Sequence, residues 1–317
     1  MHSEFELIAR YLAPAPAGDD RGVALGVGDD CALLAPTTGQ RLAVSVDTSV
    51  ADVHFPAEAP PSAIGHRALA VSLSDLAAMG ARPRWCLMSL TLPEADDAWV
   101  AAFAQGFHGL CAKSGVALAG GDVTRGELAV GVTVMGEVAP ERVLTRGGAR
   151  PGDVLAVTGA LGGGAGGLAR WRAGARDLAD PLLRRYLLPW PRLEAGQALC
   201  ELAGAAIDLS DGLLADLGHL CAASGTGATL RPEALPLAEG LVEALGESDA
   251  RRAAQSGGDD YELLVALPPA SLEPARARLA ALGLALTAIG EVTDEPGIAG
   301  STVDGVAGWQ HFSGDTP

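Results

Sequence analysis

Lysine is almost missing from this chain: Lys113 is the single one, and every other basic residue is arginine. That scarcity bears directly on nucleotide binding. A P-loop needs Gly-x-x-x-x-Gly-Lys-Ser/Thr; Lys113-Ser114 matches its end, but Phe107 and Ala112 stand where the glycines are required. Aromatic residues are also few, 4% of the chain against 49% hydrophobic, so the cores must be built from Ala, Val and Leu, and a broad stacking face is not expected. Positive charge is in deficit as well. A formal net charge of −17 repels nucleic acid and anionic membrane surfaces, so a phosphorylated ligand can bind only where local cations or backbone N–H groups reverse the repulsion.

Other absences narrow the chemistry further. Cys31, Cys86, Cys111, Cys200 and Cys221 are scattered, odd in number and without a Cys-x-x-Cys pair, which reads as reduced and structural. Met1-His2-Ser3-Glu4-Phe5-Glu6 is acidic where a secretory leader would be basic, and a cytoplasmic location is expected. The longest uncharged stretch, Val154 to Ala169, is interrupted by six glycines and is too short to span a bilayer comfortably. The histidines lack zinc spacing, no EF-hand loop occurs, and there is no Gly-x-Ser-x-Gly nucleophile elbow.

What is present reads as an α+β chain of sheet and helix layers, long enough for two domains. Arg41 to Val50 and Trp85 to Leu92 are strand candidates around a helix from Pro61 to Met79 that stops at Gly80. From Ala95 to Lys113 the positions Trp99, Phe103, Phe107 and Leu110 recur at helical spacing as a core stripe, with Asp96 or Asp97 suited to the N-cap and Gly115 just beyond the end. Leu128 to Val138 alternates as a strand, and the turn Ala149-Arg150-Pro151-Gly152-Asp153 marks a domain boundary. Beyond it come a strand at Val154 to Val157, a glycine-rich turn from Gly159 to Gly167, and a helix starting near Leu168. A strand ending at Asp208 runs into a helix burying Leu213, Leu214, Leu217 and Leu220. Further strands fall near Tyr261 to Leu267 and Leu284 to Val292. Pro14-Ala15-Pro16-Ala17-Gly18 reads as a mobile loop.

The aspartates fall in a pattern: Gly28-Asp29-Asp30, Ser45-Val46-Asp47, Ser74-Asp75, Gly121-Asp122, Asp208-Leu209-Ser210-Asp211-Gly212 and Gly258-Asp259-Asp260. A carboxylate at the end of an apolar strand, with glycine beside it, can be aimed where the backbone also approaches a ligand. Hard cations such as Mg²⁺ take oxygen ligands of this kind and bridge to phosphates. Without cations the carboxylates would repel a triphosphate, since two unit charges about 4 Å apart interact by roughly 4 kcal/mol at an effective dielectric of 20. Each fragment alone is ordinary turn chemistry, and Ser210 is equally suited to N-cap a helix. Asp75 differs, because a carboxylate inside an otherwise apolar helix calls for a metal or a basic partner.

Taken in order, Gly26-Val27-Gly28-Asp29-Asp30, Ser45-Val46-Asp47-Thr48, Ser72-Leu73-Ser74-Asp75-Leu76, Gly120-Gly121-Asp122, Leu144-Thr145-Arg146-Gly147-Gly148, Asp208-Leu209-Ser210-Asp211-Gly212 and Gly257-Gly258-Asp259-Asp260-Tyr261-Glu262-Leu263 resemble the thiamine-monophosphate kinases over nearly the whole chain. The wider superfamily includes aminoimidazole ribonucleotide synthetase and selenophosphate synthetase. The resemblance implies transfer of phosphate from ATP to thiamine monophosphate, with no covalent enzyme intermediate. It implies an α/β (α+β) subunit folded like aminoimidazole ribonucleotide synthetase. Residues 1–148 would form an ATP- and Mg²⁺-binding domain whose mixed sheet and helices build a barrel in a homodimer, and residues 149–317 an α+β domain completing the active site. It also implies several Mg²⁺ ions on Asp30, Ser45, Val46, Asp47, Asp75, Asp122, Asp208 and Asp211, and ATP contacts from Gly121, Asp122, Arg146 and Ser210. Asp30, Asp75, Asp122 and Arg146 would form the catalytic set, with His54, Asp259 and Trp309 on the substrate side. The chain departs from the family pattern at Val46, usually threonine, so a metal contact there would come from the backbone; at Asp259, usually glutamate; and at Gly164, usually serine. Another ATP-using synthetase of the superfamily, or a non-catalytic Mg–nucleotide sensor, would share many of these features.

Overall fold

The computed structural model describes residues 4–13, 22–303 and 308. Trp309 and the Pro14–Gly18 segment lie outside the described residues. The chain divides into two compact units, one of Met1–Leu76 with Ala81–Glu141 and the other of Ala77–Gly80 with Arg142–Pro317.

The first unit opens with a short helix α1 (Glu4–Leu7), a π-helical turn (Ile8–Leu12) and a two-stranded antiparallel ribbon of β1 (Val23–Leu25) and β2 (Leu33–Leu34). Its main sheet has four strands in the order β3 (Arg41–Val50), β6 (Ala129–Val138), β4 (Arg82–Leu92) and β5 (Ala117–Arg125). β3 and β4 both run antiparallel to β6, whereas β4 and β5 are parallel. Parallel neighbours need a crossover, and α3 (Asp97–Ser114) supplies it. Asp96 caps that helix by accepting from the N–H groups of Ala98 at 2.8 Å and Trp99 at 3.2 Å, and Gly115 ends it in the left-handed conformation. Phe103 and Phe107 are fully buried and stack along its inner face at 6.2 Å, so the aromatic stripe is core. α2 (Pro61–Ala78) buries Leu69, Leu73 and Leu76, and the Ser72 hydroxyl donates to the Val132 carbonyl of β6 at 3.3 Å. The alternation of β6 follows: Val130, Val132 and Val134 are buried while Ala129, Gly131 and Thr133 line the other face.

β5 carries Gly121-Asp122, which on its own reads as turn chemistry. The structure corrects that reading. A Cβ at Gly121 would stand 1.9 Å from the Met88 carbonyl oxygen, so the glycine is what lets the edge strand lie this close to β4. Gly121-Asp122 is therefore strand, not loop.

The second unit carries a six-stranded sheet in the order β12 (Gly297–Ala299), β9 (Gly227–Leu230), β11 (Leu286–Thr293), β7 (Val154–Thr158), β10 (Leu263–Leu267) and β8 (Ala205–Asp208). All pairings are antiparallel except β12 with β9. Helix α4 (Gly163–Arg172) is followed by α5 (Pro181–Leu187), α6 (Leu193–Leu199), α7 (Leu213–Ser224), α8 (Leu241–Leu245), α9 (Glu247–Ser256) and α10 (Leu272–Ala280). Leu155, Val157, Ile207, Leu217, Leu220 and Ile289 join one buried cluster between sheet and helix.

Two helix starts differ from expectation. α4 begins five residues before Leu168, inside the glycine run, because crowding outweighs poor helix propensity: a Cβ at Gly167 would lie 2.3 Å from the Leu182 carbonyl oxygen of α5. α7 is N-capped by Gly212 rather than Ser210. β10 also starts later than Tyr261, since Asp259 and Tyr261 hold φ of 68° and 49°, outside any strand geometry.

Candidate active site

Strand alternation sorts the β3 residues. Ser45 and Asp47 share the face that meets α2, while Val46, 64% exposed, points to the opposite face. The Ser45 hydroxyl donates a very short hydrogen bond to Asp75 Oδ2. Asp75 thus has a neutral partner thirty residues away where a metal or a basic partner is expected. Asp47 stands beside it: burial and then the Asp75 charge push its carboxyl up to about 6, against a lowering hydrogen bond from Ser72. The structure therefore brings Ser45, Asp47 and Asp75 together.

Asp122 is placed elsewhere in this unit. It is exposed on β5, paired in register with Ser89, and with Gly121, Val46, Thr48, Met88 and Thr91 it lines a cavity of about 350 Å³ on the open sheet face. Asp30 is exposed in the β1–β2 turn, its N–H bonded to Asp29 Oδ1 at 2.8 Å. His54 is half-buried after β3, and its Nδ1 accepts from the Val50 N–H at 3.0 Å, which in the neutral ring puts the proton on Nε2. Among the described residues no three His, Cys, Asp or Glu side chains converge closely enough to cage a metal ion alone.

In the second unit Asp208 ends β8 and is buried, with Ser210 and Asp211 half-buried in the turn that leads into α7. A residue with no role read from local pattern organises that turn. Asp216, in the first turn of α7, reaches back so that Oδ2 accepts from the N–H groups of Asp211 at 3.2 Å and Gly212 at 3.1 Å. Burial, then the charges of Asp208 and Asp211, push its carboxyl up to about 8. An acidic residue in a first helical turn was the available signal. Arg146 is exposed, its carbonyl accepting from the Ser224 hydroxyl at 3.0 Å, and none of the described carboxylates pairs with its guanidinium.

Asp259 is tied to this turn directly, its N–H donating to the Ser210 carbonyl at 2.9 Å. Its neighbour Asp260 accepts from Gly162 N–H at 2.7 Å and Gly164 N–H at 3.2 Å, closing the N-terminus of α4. Part of Asp260 stays accessible, yet protein surrounds the carboxyl itself, and burial pushes it up to about 7. Glu262, fully buried, takes a fork of two bonds from Arg192 at 2.7 and 2.6 Å. Asp260 and Arg192 were likewise given no role from sequence.

Comparison with known proteins matches residues 28–138 to the AIR synthase related protein N-terminal domain and residues 150–302 to its C-terminal domain. The thiamine-monophosphate kinase of Escherichia coli (strain K12) is 45% identical over 295 residues, covering 92% of this chain and 90% of the relative. The crystal structure of the thiamine-monophosphate kinase from Stenotrophomonas maltophilia K279a superposes with a TM-score of 0.85 at 44% identity, covering 93% of this chain and 94% of that one. AaThiL complexed with AMPPCP and TMP superposes with a TM-score of 0.79 at 32% identity, covering 88% and 89%. No helix among the described residues is long and apolar enough to cross a membrane. With both domains matched in order and the acidic segments set on them as described, this chain belongs to the thiamine-monophosphate kinase family of AIR synthase related proteins.

Proposed function

We propose that the protein phosphorylates thiamine monophosphate with ATP, giving thiamine diphosphate and ADP. The observation that carries this reading is the full-length likeness to the Escherichia coli kinase. The likeness to a structure holding both AMPPCP and TMP supports it. An oxygen of the acceptor phosphate forms a bond to the γ-phosphorus, and the bond from that phosphorus to the β–γ bridging oxygen breaks. The acceptor is already ionised, so no general base has to activate it, and positioning with charge neutralisation is the protein's task.

The donor set of Ser45, Asp47 and Asp75 consists of hard oxygens, and the upward push on Asp47 comes first from burial and then from the neighbouring Asp75 charge, an environment that a hard divalent cation relieves. Mg²⁺ held by Asp30, Ser45, the Val46 backbone, Asp47, Asp75, Asp122, Asp208 and Asp211 would neutralise phosphate charge when bound. A full protein cage is not needed, because Mg²⁺ keeps several waters. The Ser45 hydroxyl orients the Asp75 carboxylate. Arg146 offers a planar fork of donors suited to phosphate, and Gly121, Asp122 and Ser210 are assigned to the nucleotide. Asp30, Asp75, Asp122 and Arg146 form the proposed catalytic set. His54, Asp259 and Trp309 are assigned to thiamine monophosphate. Residues 1–148 are proposed as the nucleotide and dimerisation domain, with residues 149–317 contributing Asp208, Ser210, Asp211 and Asp259.

A homodimer fits the exposed Leu42, Val44 and Val46 of β3, 47%, 61% and 64% accessible, since apolar rows of this kind mark interaction faces. The cytoplasm fits the five free thiols. Incubation of purified protein with ATP, Mg²⁺ and thiamine monophosphate is expected to yield one ADP per thiamine diphosphate. Absence of the diphosphate at saturating ATP and Mg²⁺ refutes the assignment.

A further inference from the structure

Among the described residues only Asp52, Asp259 and Tyr261 are non-glycine residues with left-handed φ. Two of the three fall in one six-residue connection between α9 and β10. Residues of this kind keep such a conformation only where their surroundings over-determine it, and here the ties can be named. Asp259 N–H donates to the Ser210 carbonyl at 2.9 Å, Tyr261 N–H to the Leu209 carbonyl at 2.8 Å, and Leu209 N–H to the Glu262 carbonyl at 2.9 Å. Between the two strained residues, Asp260 is bonded to the first N–H groups of α4. The connection is thus fixed on both flanks by backbone and at its centre by a side chain.

This arrangement has a side-chain consequence. The Tyr261 ring is buried, with the residue 8% exposed, and its hydroxyl donates to Asp259 Oδ1 at 2.8 Å. Asp259 itself is half-buried. In an ordinary extended segment, residues two apart point the same way but stand too far apart for a tyrosine hydroxyl to turn back onto its neighbour's carboxylate. The two left-handed residues fold the segment enough to make that bond. A hydrogen bond between neutral phenol and carboxylate is of the stronger, charge-assisted class, and it selects one direction for a carboxylate that would otherwise sample several rotamers.

We propose that Tyr261 is a positioning residue for the acceptor substrate: its buried hydroxyl sets the direction of the Asp259 carboxylate, so that this group meets the amino and cationic groups of an aminopyrimidine–thiazolium ligand already aligned. The inference rests on the assignment of Asp259 to thiamine monophosphate. Asp260 serves the same end one step back, by locking the pair of left-handed residues to α4.

The test compares Tyr261→Phe, Asp259→Asn and the double variant in the full chain, by steady-state kinetics for both substrates and by thermal unfolding. Tyr261→Phe removes one oxygen and keeps the ring, so the fold is retained. The expected result is a rise in KM for thiamine monophosphate of roughly tenfold, with kcat and the KM for Mg–ATP within about twofold and an unchanged Tm. The double variant is expected to match Asp259→Asn alone, since the positioning role runs through that carboxylate. If Asp259→Asn raises KM but Tyr261→Phe does not, the positioning role is overturned and the substrate assignment stands. If Asp259→Asn leaves KM unchanged, the substrate assignment of Asp259 falls and the positioning role falls with it. If Tyr261→Phe lowers Tm and shifts both KM values together, the hydroxyl is structural only, which also overturns the proposal.

Discussion

The fully buried Glu262 carboxylate makes the second unit's stability depend on Arg192. Glu262 accepts from Arg192 Nε at 2.7 Å and Nη2 at 2.6 Å and from the Thr158 hydroxyl at 2.7 Å, while the next cation, Arg185, stands 3.6 Å away. Thr158 Oγ1 in turn accepts from the Leu263 N–H at 2.8 Å, so the carboxylate organises the first residue of β10. Arg192→Met removes the fork and leaves the buried charge with the Thr158 hydroxyl and Arg185 at 3.6 Å. Breaking a buried pair from one side costs about 3–5 kcal/mol, whereas replacing both partners is far milder. For a folding unit of about 150–250 residues each kcal/mol moves Tm by about 2–4 °C, so the single variant should unfold roughly 6–20 °C lower. Glu262→Gln should cost less, because the Arg192 side chain is 21% accessible and can recover hydration. The double variant Arg192→Met/Glu262→Gln should be more stable than Arg192→Met alone. Thermal melts and urea titrations of the four proteins give the coupling energy. Destabilisations that add within about 0.5 kcal/mol would refute the claim that the pair, rather than each residue's packing, holds this corner.

Three further outcomes follow from the geometry. Gly121→Ala puts a methyl 1.9 Å from the Met88 carbonyl oxygen and should cost about 1–3 kcal/mol by forcing β4 and β5 apart; an unchanged urea midpoint contradicts the close approach. Asp75→Asn should abolish transfer at limiting Mg²⁺ and erase the Mg²⁺-dependent rise in Tm while leaving the metal-free protein folded; near-wild-type rate under those conditions excludes Asp75 as a ligand. Asp260 keeps its proton up to about pH 7 in the folded chain against a reference of 3.8. Between those values the native state binds the extra proton, so its contribution to stability falls as pH rises and is lost above about 7. Asp260→Asn should therefore flatten the decline in unfolding free energy measured by urea from about pH 5 to about pH 8; an identical slope in the variant denies the burial.

What the sequence disclosed was what local rules encode. β3 occupies Arg41–Val50 and α3 lies between Asp96 and Gly115, because alternation and cap chemistry are properties of neighbouring residues. The family could be read from the order of the acidic segments. The misreadings share one cause. Gly121-Asp122 and Gly162–Gly167 look like turns until the opposing Met88 and Leu182 carbonyls are in place, and those partners lie on other elements. Asp75 looked unpaired for the same reason, its Ser45 partner lying on another element. Asp216, Asp260 and Arg192 carry no local signature stronger than an ordinary cap or surface charge, and only the fold turns them inward.

Glycine and aspartate recur together here because both serve one constraint, a carboxylate aimed by the main chain. An aspartate has a single methylene between backbone and charge, so its position is inherited from the strand or turn that carries it, and the main chain must come close to whatever the charge addresses. Gly121 brings β5 against β4 immediately before Asp122. Gly164 does the equivalent in the second unit, where a Cβ would lie 2.5 Å from the Asp259 carbonyl oxygen and 2.6 Å from its Cβ. A serine there needs the 258–259 backbone to stand further off. Asp259 sits on the backbone that this glycine allows to approach. The glycine at 164 and the aspartate at 259 are therefore coupled by one close approach of the 258–259 backbone to α4. Gly164→Ser alone should raise the KM for thiamine monophosphate more than Gly164→Ser with Asp259→Glu, read by steady-state kinetics; equal effects of the two variants contradict the coupling.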